Sequence, residues 1–237
     1  MANSETTFAD RQQRGREMQA LTLTFVPTFA PADINLGPTP FNTFLDSLTT
    51  LNTTVATAEA VWKGNAAVRA GIVVDIKARA LRASSRVKSN VLWKASVPAV
   101  KAAADNVRGY RVAKVKSPPD VTPPVMTAPR ADQSFADFKG LLDKLIAALN
   151  VVSGYTTGAP ADLTILSLTA LSTSLDTSNK LVAANEATLT AARAPRLAAY
   201  DAADTGLRAK MQAIKEATKS QYGSQSAQFQ QIKGIKG

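Results

Sequence analysis

The sequence predicts an all-α fold: a tandem-duplicated helical bundle with long helices, irregular arms and a proline-rich linker. Three observations lead there. Apolar residues recur at alternating spacings of three and four over long stretches. Short signposts in the first half return in the second in the same order. Prolines cluster between the periodic segments rather than inside them.

The first half opens with a short helical stretch at about 8–22. Pro27, Pro31, Pro38 and Pro40 exclude a long helix from the arm at 23–40. Thr39 is the expected N-cap of the next helix, with Pro40 in its first turn. Phe41, Phe44, Leu48, Leu51, Val55, Ala58 and Trp62 then form a coiled-coil-type seam. Apolar residues leave that phase near Lys63-Gly64-Asn65, and a second stripe follows at Ile72, Ile76, Ala80, Ala83, Val87 and Val91.

The second half repeats the plan. A helix runs from an N-cap at Ser134 to about Val151, and an arm spans Ser153-Gly154 to Pro160. Asp162 is the expected cap of a helix striped by Leu168, Leu171, Leu175, Val182 and Leu189. Pro195 marks a break, before a stripe of Leu197, Tyr200, Leu207, Met211 and Ile214. Each break is either a tight hairpin turn or a kink in one helix of roughly 50 residues, about 75 Å long. The long helix is preferred, because Gly64-Asn65 is a weak turn and the Pro195 region has no glycine.

Duplication rests on ordered matches. Phe8-Ala9-Asp10 returns as Phe135-Ala136-Asp137, and Ala30-Pro31-Ala32-Asp33 as Ala159-Pro160-Ala161-Asp162. Asp75, Leu81, Arg82 and Ala83 match Asp201, Leu207, Arg208 and Ala209, while Val107-Arg108-Gly109-Tyr110-Arg111 returns in type as Ile232-Lys233-Gly234-Ile235-Lys236. The organisation read from this is repeat one at 1–111, a linker at 112–134 and repeat two at 135–237. Pro118-Pro119, Pro123-Pro124 and Pro129 favour extended polyproline geometry in the linker.

Composition excludes much chemistry. The chain has 237 residues with no cysteine and no histidine. Disulfides, thiolate sites and the usual neutral-pH general base are therefore absent. Asp201 and Asp204 are the one i,i+3 acid pair on an expected helix, and they are expected to border the stripe or pair with Arg196 and Arg208. No phosphate-cradling glycine loop or nucleophile elbow occurs. The expectation is a non-enzyme with no catalytic residue, metal, cofactor or small-molecule substrate. With no leader-like apolar run at the N-terminus and no bilayer-spanning stretch, the expected location is the cytoplasm or a particle assembled there.

The net charge of +10 is uneven, because residues 77–116 hold 11 Lys/Arg against the single acid Asp105. The candidate polyanion-binding residues are Lys77, Arg79, Arg82, Arg86, Lys88, Lys94, Lys101, Arg108 and Arg111. The competing view of this face is a solvated one, with Asp75 and Arg79 as an i,i+4 pair. Candidate assembly contacts are Phe25, Phe29, Ile34, Tyr110, Ile232 and Ile235, apolar residues on irregular or terminal segments. The sequence thus favours a structural protein that self-associates into a homo-oligomer or polymer. The alternative is sequence-independent binding of nucleic acid or another polyanion through 77–116.

Overall fold

The computed structural model describes residues 7–109 and 134–236; the linker at 112–133, with Tyr110 and Arg111, lies outside them. Among the described residues the fold is all-α, with seven α-helices: α1 (Phe8–Leu23), α2 (Pro38–Ser89), α3 (Val97–Arg108), α4 (Phe135–Asn150), α5 (Ile165–Asp201), α6 (Leu207–Tyr222) and α7 (Ala227–Ile232). Three short 3-10 turns punctuate them, at Ile34–Leu36, Val91–Ser96 and Ala161–Leu163. No described helix is long and apolar enough to cross a membrane.

Helix starts follow local chemistry. The Thr7 hydroxyl accepts the Asp10 N–H, and the Asp10 carboxylate accepts the Thr7 N–H, closing a capping box on α1. Ser134 caps α4 by accepting from the Asp137 N–H, and its hydroxyl donates to the Asp137 carboxylate. Two boundaries differ from the sequence reading. Helix α2 begins at Pro38, whose missing N–H costs nothing in a first turn. Thr164, not Asp162, caps α5, its hydroxyl accepting the Ser167 N–H.

Helix α2 is one continuous helix of 52 residues. The buried side chains in its first half are Phe41, Leu45, Leu48 and Val55, with Asn52 half-buried between the last two. Extending that line by threes and fours passes through Glu59, Trp62, Ala66 and Arg69, all half-buried, and joins Val73, Ile76, Ala80, Ala83 and Val87 in phase. The break expected at Gly64-Asn65 is therefore a change of residue type along one seam, not a change of phase. Phe44, Leu51 and Ala58 flank the seam and are only half-buried, while Val91 lies outside it.

In the second half the interruption comes later than Pro195. Helix α5 contains Pro195 and continues to Asp201, and the chain turns at 202–206 before α6. Gly206 fixes that turn. Its N–H donates to the Ala202 carbonyl at 3.0 Å. A Cβ there would fall 2.7 Å from Ala202 N, 2.8 Å from Ala202 O and 2.9 Å from Tyr200 O, all backbone atoms that cannot swing aside. Gly206→Ala is expected to destabilise the protein by about 1–3 kcal/mol, read as a lower urea midpoint. An unchanged midpoint would show that the turn can relax.

The chain forms two compact units, each drawing on both halves of the sequence. The first runs to Trp62 and resumes at Asn185; the second is Lys63–Ala184. In the first, Met18, Phe41, Leu45 and Leu48 pack with Tyr200, Leu207, Met211, Ile214 and Ile232. Tyr200 is fully buried, and its hydroxyl accepts a hydrogen bond from Asn52 Nδ2 at 2.8 Å. That bond explains a polar residue on the seam. In the second unit, Ile76, Ala80, Ala83, Val87, Val100 and Ala104 pack with Phe138, Leu142, Leu145, Leu149 and Leu168. The alanines let these helices approach closely, while the leucines of α4 fill the space between them.

Candidate interaction surfaces

The basic face of α2 is largely engaged within the second unit. Arg79 Nε donates to Asp75 at 2.9 Å, and Nη1 donates to the Asp162 carbonyl at 2.9 Å and to Ser167 Oγ at 3.0 Å. The Asp75 hydrogen bond raises the Arg79 pKa further. Arg82 grips the Asp162 carboxylate with two nitrogens, and this holds that carboxyl below its ordinary range. Arg86 Nη2 donates to the Tyr155 and Thr157 carbonyls at 3.1 and 2.9 Å, and its guanidinium lies 5.5 Å from the Trp93 ring and 5.6 Å from the Tyr155 ring. Three arginines on one helix face therefore clasp the arm that joins α4 to α5. They satisfy carbonyls that an irregular segment would otherwise leave open. The Asp75–Arg79 pair expected from the i,i+4 spacing is present at 2.7 Å, and the Arg82 side chain stays 52% exposed.

The remaining candidate cations divide. Lys77 Nζ sits 5.0 Å from the Phe138 ring centre. Lys101 pairs with Asp105 at 2.6 Å, and Arg108 lies 3.8 Å from the same carboxylate. Lys88 and Lys94 are exposed and make no hydrogen bond or ion pair with a described residue. Arg111 falls outside the described residues.

The candidate assembly contacts also divide. Phe25, Phe29 and Ile232 are buried in the first unit's own core, and Ile235 packs half-buried against it. Tyr110 lies outside the described residues. Ile34 is 78% exposed, and Val26, another apolar residue of the same arm, is 79% exposed. Of the two terminal motifs, the described residues 107–109 end α3, and Lys233 is the C-cap of α7. Gly109 closes α3 with a positive φ of 78°, and the Lys236 carbonyl accepts from Arg14 at 3.4 Å. Asp201 pairs with Arg11 at 2.7 Å rather than with Arg196 or Arg208. Arg196 stacks instead on the Phe8 ring at 4.2 Å.

The arm at 24–37 is pinned over residues 26–30 by side chains of α6 and α7. Tyr222 Oη donates to the Pro27 carbonyl at 2.5 Å, Gln221 bridges Thr28 and Ala30, and Gln228 Nε2 donates to the Val26 carbonyl at 2.9 Å. Phe25 meets Phe29 and Tyr222 edge-on. With those aromatics facing inward, Val26 and Ile34 are presented outward on a fixed backbone.

Two concavities accompany these surfaces. In the first unit a groove of about 610 Å³ is lined chiefly by Thr49, Thr50, Thr53, Thr54, Thr57 and Val61. The hydroxyls of Thr49, Thr50, Thr53 and Thr54 bond back to carbonyls one turn earlier, so much of their polarity is spent on the helix itself. In the second unit a smaller hollow of about 390 Å³ lies between Arg86, Leu92, Trp93 and Gly154. No family model, curated protein or solved structure matches the chain.

Proposed function

We propose that this protein is a non-enzymatic structural component that self-associates into a larger assembly, with the 24–37 arm as a subunit contact. The observation that carries this reading is the pinned arm. Several side-chain hydrogen bonds and an aromatic cluster hold it in place, while Val26 and Ile34 remain more than three-quarters exposed. Residues 23–37 contain one acid, Asp33, and no cation. An apolar, nearly uncharged surface on a rigid backbone suits a protein partner, because little conformational entropy is lost when it docks. The shared plan of the two halves supports duplication. Helices α1 and α4 are both 16 residues long, and one Ala-Pro-Ala-Asp motif precedes a 3-10 turn while the other overlaps one. A duplicated chain carries related surfaces twice, which favours head-to-tail growth.

Val26→Ser/Ile34→Ser tests the contact. The wild type is expected to sediment faster as concentration rises, and the double variant to stay nearer the monomer with an unchanged melting temperature. Equal sedimentation of the two proteins would remove the arm from the contact. The second reading, a polyanion-binding protein, is favoured by Lys88 and Lys94, which are exposed and pair with no described residue. It predicts a clear negative log–log slope of DNA affinity against salt; a slope near zero would eliminate it.

A further inference from the structure

Val91 and Leu92 are 86% and 87% exposed, the highest values among the exposed large aliphatic side chains described. They do not belong to a loose loop. The 3-10 turn that carries them is fixed from beneath: Asn90 Oδ1 accepts the Leu92 N–H at 3.0 Å, and the Trp93 N–H donates to the Asn90 carbonyl at 3.1 Å. Trp93 Nε1 donates to the Ser153 carbonyl at 2.8 Å. A 3-10 turn repeats every three residues, so Val91 and Lys94 share a face. Lys88 stands three residues before Val91, in the last turn of α2, which ends before the extended Asn90, and no acid occurs between Lys77 and Lys101. Two exposed aliphatic side chains are thus flanked in the sequence by two exposed lysines that no described residue neutralises.

A partner for this turn must be both apolar and anionic, and three kinds compete. A second copy of the chain is a weaker fit for the lysines: six of its acids, Asp46, Asp75, Asp105, Asp143, Asp162 and Asp201, are engaged in its own ion pairs. Both copies would also carry +10. Nucleic acid is drawn to lysines, but its bases seek flat rings. Here the outward residues are Val and Leu, and the Trp93 ring is already occupied by Arg86 and flanked by Tyr155 at 6.0 Å. A bilayer with acidic headgroups supplies both requirements at the correct depths. We propose that the Val91–Lys94 turn docks on an anionic lipid bilayer. Val91 and Leu92 enter the boundary between headgroups and acyl chains, while Lys88 and Lys94 meet the acidic headgroups.

The test uses full-length protein in vesicle flotation. One set of vesicles is phosphatidylcholine alone, and the other has roughly a third of its lipid replaced by phosphatidylserine. The wild type is expected to float with the acidic vesicles only. Val91→Ser/Leu92→Ser and Lys88→Gln/Lys94→Gln should each lose about tenfold or more in affinity, with unchanged melting temperatures because all four residues are exposed. Three results would each overturn the proposal. The wild type could fail to float, or float equally on both vesicles. Either variant could bind acidic vesicles like the parent. The serine variant could keep vesicle binding yet lose self-association or binding to a single-stranded oligonucleotide, which would assign the turn to a second copy or to nucleic acid. Val26 and Ile34 lie in the other unit, so the arm contact and the lipid contact fail separately.

Discussion

Leu48→Asp is expected to unfold the first compact unit. Leu48 is completely buried on the α2 seam, packed in the same core as Met18, Tyr200 and Met211. Truncating a buried leucine costs about 2–5 kcal/mol, and burying an unpaired carboxylate adds several more. A typical domain has only about 5–15 kcal/mol of total stability. The variant should therefore be insoluble, or lose its cooperative thermal transition by circular dichroism. Ser47→Asp, one residue earlier and exposed, should change little. If Leu48→Asp melted like the wild type, the seam would have to face solvent.

The second large effect concerns the clasp on the arm between α4 and α5. Arg79→Gln/Arg86→Gln is expected to cost about 3–5 kcal/mol, because hydrogen bonds from charged donors contribute roughly 1.5–3 kcal/mol each. Gln has similar helix propensity, so α2 itself should survive. Arg82→Gln alone should cost about 1 kcal/mol or less, since the Arg82 side chain is 52% exposed and its pairing with Asp162 is screened by water. Urea unfolding gives the magnitudes, and limited proteolysis between 153 and 164 shows whether the arm has come loose. A double variant within about 1 kcal/mol of wild type would mean the arm is held by its own turns and by Tyr155.

The clasp also shows where the sequence stopped being informative. The 3-4 spacing from Phe41 revealed a long helix, because helical periodicity is a local property and needs no knowledge of the partner. The caps at Ser134 and the arms with their prolines were legible for the same reason. The i,i+4 spacing also foretold the Asp75–Arg79 pair, but not the clasp that Arg79, Arg82 and Arg86 make on the arm. Their partners Tyr155, Thr157, Asp162 and Ser167 stand 69 to 88 residues away in the chain. A basic helical face looks identical whether its guanidiniums meet water, phosphate or backbone carbonyls. The hydrophilic middle of α2 misled in a related way: Glu59 and Arg69 occupy seam positions, and the Arg69 guanidinium lies 3.7 Å from the centre of the Phe135 ring. An apolar pattern does not register a residue whose stem is buried and whose head is charged. Pro195 misled in the opposite direction, since α5 passes through it and the turn is set by Gly206.

For the candidate surfaces, sequence pattern located the segments but not the faces. It assigned Phe25 and Phe29 to assembly because they are apolar on an irregular arm, yet both turn inward, and the outward residue beside Phe25 is Val26. Side-chain direction on a segment without regular period depends on which contacts pin its backbone. Those contacts come from Gln221, Tyr222 and Gln228, nearly 200 residues later in the chain.

Negative-stain imaging of the purified full-length protein across a concentration series tests self-association most directly. Regular particles, rings or filaments much larger than one 25.0 kDa chain are expected to appear as concentration rises and to be lost in Val26→Ser/Ile34→Ser. Fields of isolated single chains at the highest concentration, with matching monomeric light scattering, would contradict a structural role built on self-association.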